Sequence, residues 1–526
     1  MEPSCVRQTL IPGTSKLFGD FLYNFERVSR FYSYNFSDPE SFRRAAAQLN
    51  YPESRRKQLV SALREQNGDS PALDELAKPE TVAVVTGQQV GLLSGPLYTI
   101  FKALTAVRLA QELSRQGMAA VPIFWLASED HDLAEVDHAW LFDQNAKPTK
   151  ISVTSAISNG GPVGEVVLDD LPFEEIRAAL GELPFADDVM ERLKEAYHPG
   201  VTFSCAFKTF LQGILQGLGL LFLDPLAPSI RGIARPFLAE AAQRVPELFD
   251  GLKARDRELA SAGYHSQVHL DEGASLLFLL TDDGKRTALR WKDDRFSTKD
   301  KSYSTAELQE RAHRLSPNAL LRPVMQDYLL PTVAYIGGPS EIAYMAQGQV
   351  LYQALLGRMP VIFPRNSFTL LDSRAEKLIN RYGLRFPSLL DHPEKVKSAI
   401  ACQLVPIELQ KEFDSVQSSM AAAIAGLQGN LHKFDPTLEA AAAKSGSKML
   451  YQLRRLSEKT ARETLRRDER SAREADYLTN LVYPHRRLQE RFYSIVPFLA
   501  KNGLDLPHRL LDLTQLACPD HMIRTV

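Results

Sequence analysis

A chain of 526 residues exceeds what one hydrophobic core organises, so two or three structural units are expected. Hydrophobic content of 44% beside 24% charged residues describes a soluble globular protein, and a net charge of −2 excludes a global electrostatic drive toward nucleic acid or a membrane surface. Cys5, Cys205, Cys402 and Cys518 lie far apart without paired-ligand spacing, no apolar run reaches membrane-spanning length, and the N-terminus lacks an apolar signal core; together these read as a cytoplasmic protein without structural zinc.

The aromatic-rich run Phe18, Phe21, Tyr23, Phe25, Phe31, Tyr32, Tyr34 and Phe36 reads as core. Val82 to Val85 is a β-type run, followed by Thr86-Gly87-Gln88-Gln89-Val90-Gly91 and Gly95-Pro96, and then by an amphipathic helix from Pro96 to Gln116. Val121 to Ala127 is short and continuously apolar, as a buried parallel strand should be. Leu220 to Leu223, Thr332 to Ile336 and Pro360 to Phe363 repeat that pattern. Strand, glycine turn, helix, strand is the order of a doubly wound α/β sheet, so residues 1–390 read as a Rossmann-like core with a mostly parallel sheet. Within it, residues 265–305 read as a small antiparallel insertion, with strands at His265–His269, Ser275–Leu280, Thr287–Trp291 and Phe296–Ser297 and a turn at Asp282-Asp283-Gly284.

Residues 391–480 lose the strand pattern. Two long helical stretches meet at Asp435-Pro436, where Asp suits the N-cap and Pro the first helical position. Glu458–Arg462, Glu463–Arg467 and Glu469–Arg473 stand at i,i+4 along a charge-dense, thinly apolar face, which reads as a solvated antiparallel hairpin or coiled coil. Residues 481–526, with Ile495, Val496, Phe498, Leu499 and Leu504, are expected to return to the core.

The candidate site residues fall at the C-terminal ends of the expected strands, where open α/β sheets bind ligands. The first group is the turn Thr86, Gly87, Gln88, Gln89, Gly91 and Gly95, whose glycines can expose backbone N–H groups to phosphate or carboxylate at a helix start. Its glycine spacing matches neither the dinucleotide fingerprint nor a Walker A loop. The second is Glu129-Asp130-His131-Asp132, after the strand ending at Ala127; it fits a capped and solvated helix start, a Mg²⁺ or substrate-amine site, or, through His131, Glu135 and His138 if helical, a zinc site of a metal-dependent hydrolase. A carboxylate on either side of His131 suits an acid–base role. The third is Gly338, Ser340, Glu341 and Tyr344 after the strand ending at Ile336, where Ser340 alternatively serves only as an N-cap. Arg365 and Ser367 follow the last strand, and the arginine fork suits an anion. Lys102, one and a half turns into the first helix, reads as solvated.

These motifs carry a resemblance. Thr86-Gly87-Gln88-Gln89 with Gly91 and Gly95-Pro96-Leu97-Tyr98-Thr99, Phe124-Trp125 with Glu129-Asp130-His131-Asp132, Gly338-Pro339-Ser340-Glu341 with Tyr344, Phe363-Pro364-Arg365 with Ser367, and Leu488-Gln489-Glu490-Arg491 together resemble the bacillithiol biosynthesis cysteine-adding family, BshC, over essentially the whole chain. The resemblance implies a Rossmann-like core with insertions, a coiled-coil arm that forms a homodimer, and a ligase joining L-cysteine to glucosaminyl malate. Amide formation needs an activated carboxylate, so ATP or another nucleotide is expected, with Mg²⁺ compatible. The glycine turn and Arg365 would then hold phosphate, or the turn would hold the malate carboxylates; Glu129, Asp130 or Asp132 would bind ammonium or Mg²⁺, and His131 would move the proton.

Overall fold

The computed structural model describes residues 4–153, 160–390 and 392–526. Its centre is a five-stranded, wholly parallel sheet formed by β1 (Val82–Gln89), β2 (Ala120–Ala127), β3 (Leu221–Leu223), β4 (Thr332–Gly337) and β5 (Val361–Pro364). The spatial order is β5-β4-β1-β2-β3. From β1 the chain winds outward through β2 and β3, then returns to the opposite flank of β1 with β4. The order therefore reverses between β1 and β4, and the crevice beyond their C-terminal ends is where such a sheet takes a ligand.

The apolar runs form strands because both sheet faces are covered. Along β2, Phe124 and Leu126 enter one hydrophobic core while Val121, Ile123 and Trp125 enter the other, the alternation a pleated strand requires. Each such fully buried side chain contributes about 1.5–3 kcal/mol. Helix α1 (Tyr98–Arg115) packs between the same two cores, with Ile100, Phe101 and Leu104 in the first and Leu109, Ala110 and Leu113 in the second. The N-terminal aromatic run is core as expected: Phe21 and Phe31 are fully buried, and Phe21 packs on Tyr32 and Phe36.

The insertion is a five-stranded antiparallel sheet of Ala274–Leu280, Arg286–Lys292, Arg295–Ser297, Ser302–Tyr303 and Leu315–Pro317, with Gly284 at φ +77° in its turn. The strand expected at His265–His269 does not form. There the Gln347 side-chain amide accepts from the Val268 N–H at 3.0 Å and donates to its carbonyl at 2.7 Å, taking the place of a neighbouring strand. A third sheet joins the chain ends: Ser4–Val6 pairs antiparallel with β7 (His521–Thr525), which runs parallel to β6 (Ser367–Leu371). A hairpin of His138–Phe142 with Pro148–Ser152, also unanticipated, follows the Asp130 turn.

The arm consists of α3 (Ile407–Phe434) and α4 (Pro436–Arg467), and α5 (Glu469–Val482) leads back to the core. Asp435 caps α4 through the Thr437 N–H with Pro436 at the first position, as its sequence indicated. The hairpin closes tightly about this residue: a Cβ at Gly446 would lie 2.5 Å from the Ile424 side chain, so glycine permits the antiparallel approach. No residue of α3 is buried.

Candidate active site

At the end of β1 the polypeptide is shaped by sterics before chemistry. A Cβ on Gly87 would stand 2.8 Å from the Trp125 carbonyl, so glycine is required by strand packing. Thr86 is buried within the sheet, its hydroxyl donating to the Ile336 carbonyl at 3.0 Å, and it does not face the crevice. Beyond Gly91, Leu93, Ser94 and Gly95 all adopt positive φ, coiling the turn so that its amides are consumed internally. The Leu92 N–H donates to Val136, that of Gly95 to Leu92, and that of Leu97 to Tyr493. The reading of this turn as a ring of open amides is thereby corrected; Gly87, Gln88 and Gln89 face the crevice, and Gly91 and Gly95 line an adjoining cavity.

Lys102 departs most from expectation. Its side chain is 3% exposed and points back along α1 to the strand ends, where Nζ donates to the Gly87 carbonyl at 2.6 Å and Gln88 Oε1 at 3.1 Å and pairs with Glu341 at 2.5 Å. Glu341 stands three residues past Gly338, where helix α2 (Pro339–Leu356) begins, and accepts from the Gly338 N–H at 2.9 Å and the Tyr335 hydroxyl at 2.5 Å. Burial pushes its carboxyl up, but the Lys102 ammonium and the Gly338 N–H overturn this and leave it below the usual range; burial lowers Lys102. Arg322 donates to the Tyr344 hydroxyl at 2.8 Å, completing the wall. Gly338 is the N-cap, so Ser340 is not; it lies in the first turn of α2 and is exposed at the cavity edge.

The acidic turn after β2 divides in two. Glu129 is buried in an ion pair with Arg231 at 2.9 Å, while Arg231 also donates to the His313 and Leu315 carbonyls; this carboxylate braces the insertion and lines none of the crevice cavities. Asp130 does face the crevice. Burial acts to raise its pKa, but hydrogen bonds from Gln89 Nε2 at 2.6 Å and the His131 N–H at 2.7 Å, with Arg286 nearby, hold it below the usual carboxylate range. His131 lies under the insertion, its Nδ1 3.2 Å from Arg286 Nη1 and its ring against Phe278. Arginine only donates, so Nδ1 accepts. Asp132 is exposed. The expected helix is a single 3₁₀ turn, Leu133–Glu135, and His138 starts a strand; His131, Glu135 and His138 therefore share no face, and no cluster of three metal-ligating side chains occurs among the described residues.

Arg365 is committed rather than free. Its fork takes Glu490 in a bidentate pair, Nη1 at 2.9 Å and Nη2 at 2.6 Å, with Glu490 1% exposed. Glu490 also accepts from Ser367 Oγ at 3.0 Å and the Phe368 N–H at 3.1 Å. Ser367 Oγ contacts His521 Nδ1 at 2.6 Å, and His521 Nε2 contacts Thr369 Oγ1 at 2.8 Å. Burial pushes His521 down to about 4, so it is neutral here. Glu490 bonds the serine and not the histidine, which makes the group a buried brace and not a nucleophile relay. Only the Nε edge of Arg365, beside Gly338, is left toward the cavity.

The sequence motif Leu488-Gln489-Glu490-Arg491 supplies what Arg365 does not. Three cavities of about 500, 320 and 500 Å³ adjoin over the strand ends, and Tyr98 and Arg491 line all three. The Arg491 guanidinium makes no hydrogen bond or ion pair to a described residue, and Arg487 joins it in two of the cavities. Both are delivered by the turn after α5, where His485 and Arg486 take positive φ. The crevice thus combines an ionised carboxylate, Asp130, with Arg491, unpaired among the described residues, and Arg487, at the switch point of a Rossmann-type sheet.

That arrangement agrees with comparison to known proteins. Residues 1–366 match the family model described as "Bacillithiol biosynthesis BshC, N-terminal Rossmann-like domain", and residues 368–526 match "Bacillithiol biosynthesis BshC, C-terminal coiled-coil domain". The chain belongs to the BshC family. Relatives carrying the name "Putative cysteine ligase BshC" include a protein of Solibacter usitatus, 48% identical over 100% of both chains, and one of Koribacter versatilis, 37% identical over 99% of both. One of Salinibacter ruber is 32% identical over 92% of this chain and 91% of its own. Nothing in these comparisons or in the placement of His131, Glu135 and His138 favours a BshC-family chain acting as a metal-dependent hydrolase.

Proposed function

We propose that the chain is a cytoplasmic ligase that adds L-cysteine to glucosaminyl malate in bacillithiol biosynthesis, forming an amide through a nucleotide-activated cysteine carboxylate. The observation that carries this reading is the meeting of three cavities at Tyr98 and Arg491, room for two substrates and a nucleotide around one shared cation. In the reaction the amine of glucosaminyl malate attacks the activated carbonyl, the phosphate-bearing group leaves, and the amine loses a proton. Arg491, with Arg487, stabilises negative charge on the carbonyl oxygen and the leaving phosphate. Asp130, ionised and at the cavity wall, binds the ammonium of a substrate as its counter-ion, and the proton of the attacking amine leaves with the departing phosphate; His131 lines none of the three cavities. Mg²⁺ bound mainly by phosphates needs only one or two protein carboxylates, and Asp130 with Glu135, which share Gln89 Nε2 at 2.6 and 3.2 Å, offers such a pair. No helix of the described residues is long and apolar enough to cross a membrane.

The test is turnover with L-cysteine, glucosaminyl malate and ATP, scoring AMP against ADP as co-product. AMP identifies an adenylate and ADP an acyl phosphate; product at full rate without nucleotide overturns the activation step. Arg491→Ala is expected to lower kcat/KM roughly 10²–10³-fold, the usual loss for one charge-stabilising donor, with the unfolding midpoint unchanged because this side chain holds nothing else. Wild-type turnover in that variant removes Arg491 from the site.

The arm is read as the homodimer contact. Its hairpin exposes Val416, Leu427, Leu438, Met449 and Leu456, and Phe434 at the tip is 84% exposed. Such a row of apolar side chains on an otherwise charged surface suits a second copy. Sedimentation of Leu427→Lys/Met449→Lys should show monomer where the wild type sediments as a dimer; an unshifted dimer would place the contact elsewhere.

A further inference from the structure

Two thiols far apart in sequence meet where the chain ends are tied together. Cys5 lies on Ser4–Val6, opposite Met522 of β7, and Cys518 stands three residues ahead of β7; their Sγ atoms are 3.8 Å apart. Cys5 is exposed and Cys518 half-buried, so reagents reach the first thiol more readily than the second. The surroundings connect this pair to the crevice. After Cys5 the chain runs directly into Gln8, Ile11, Pro12, Gly13 and Thr14, one wall of the 500 Å³ cavity that also holds Arg365 and Ser367. After Cys518 it reaches His521, which contacts Ser367. A second tie lies alongside, Tyr23 donating to Asp520 at 2.6 Å while accepting from the Gln8 N–H at 2.8 Å.

We propose that Cys5 and Cys518 form a reversible redox modification site, oxidised by low-molecular-weight disulfides to an intramolecular disulfide that fastens the cavity wall following Cys5 to the segment carrying His521. The Cys5 thiolate attacks one sulfur of the disulfide RSSR, forming a mixed disulfide and expelling RS⁻. The Cys518 thiolate then attacks the Cys5 sulfur, forming the Cys5–Cys518 bond and expelling the second RS⁻. Two cysteine thiols are oxidised, one RSSR is reduced to two RSH, and the two cysteine protons end on the released thiolates. Bond formation needs the sulfurs to close from 3.8 Å to about 2.05 Å, a displacement that side-chain rotation at an exposed residue supplies. Burial raises the Cys518 thiol, which suits the slower, resolving partner. The site does not depend on which reaction the cavity performs.

Incubation of the full-length protein with hydroxyethyl disulfide, followed by peptide mapping under non-reducing conditions, tests this. The expected product is a Cys5–Cys518 cross-linked peptide, reversed by dithiothreitol, with Cys205 and Cys402 outside it. Its closed loop spans nearly the whole chain and should raise the unfolding midpoint by roughly 5 °C. Cys5→Ser and Cys518→Ser should each abolish the cross-link and the shift, and Cys518→Ser should leave a stable mixed disulfide on Cys5. Both thiols remaining free, or Cys5 retaining the mixed disulfide in the wild type, overturns the proposal. Mapping and melting are independent of turnover, so failure here leaves the ligase reading untouched, and a failed turnover assay leaves this one.

Discussion

Glu341→Ala is expected to destabilise the protein by about 3–5 kcal/mol, because it strands the Lys102 ammonium in the sheet with no counter-charge. Lys102 is 3% exposed at its side chain and cannot turn to water. The same substitution frees the Gly338 N–H and the Tyr335 hydroxyl, each of which now bonds Glu341. Glu341→Gln keeps an oxygen for one of these and should lose less stability. It nevertheless loses turnover, since Lys102 holds the Gly87 carbonyl and Gln88, which line the cavity. A double-mutant cycle with Lys102→Met separates pairing from packing. Removing both charges should recover part of the loss, because well-packed apolar replacement of a buried pair is often near neutral. Urea unfolding measures each variant, and a double variant as unstable as the sum of the two singles would show that the pair does not act as a unit.

The Lys102 result also shows where local reading stops. The central sheet was legible because burial on both faces demands continuous apolar strands: Val82 to Val85, Val121 to Ala127 and Thr332 to Ile336 all lie in it, in the expected chain order. The arm was legible for a similar local reason, the Asp435-Pro436 start between two helical stretches. Lysine in an amphipathic helix gives no such signal, since burial depends on a carboxylate 239 positions away meeting it across the sheet. The same distance hid the commitment of Arg365 to Glu490 and the contact of Cys5 with Cys518.

At the site, position was more readable than role. Gly87, Gln88, Gln89, Asp130, Gly338, Ser340, Glu341, Tyr344 and Arg365 do converge on one cavity at the strand ends. Thr86 and Glu129 neighbour that group in sequence but turn away, one into the sheet and one onto Arg231. In a strand successive side chains alternate faces, so adjacency at a strand end does not settle which side chain enters the crevice. Arg491 was visible only as part of a motif. Its place follows from the positive-φ turn at His485–Arg486, where non-glycine residues give no warning in sequence.

Beneath the cavities, the Arg365–Glu490–Ser367–His521 group predicts an acid response in two stages. Glu490→Ala leaves the Arg365 guanidinium buried without its partner and releases Ser367 and the Phe368 N–H, for an expected loss of about 3–5 kcal/mol. The pH dependence follows from His521. Its folded value of about 4 lies below its ordinary 6.5, so between these limits the unfolded chain binds the extra proton and stability falls as pH falls. With a full slope of 1.36 kcal/mol per pH unit that is only half developed at pH 6.5, lowering the pH from 6.5 to 5 costs about 1.6 kcal/mol through this residue alone. Glu490, whose carboxyl burial raises but Arg365 and its hydrogen bonds bring below the usual 4.5, acts later: its stabilisation is present above that range and is lost as pH falls through its lowered value. Urea unfolding at pH 6.5 and pH 5 checks the first stage. His521→Gln, which cannot titrate, should lose about 1.6 kcal/mol less than wild type over that interval, whatever its stability at pH 6.5. Equal losses in the two proteins would mean that His521 titrates alike in the folded and unfolded chain, so that its burial does not depress it.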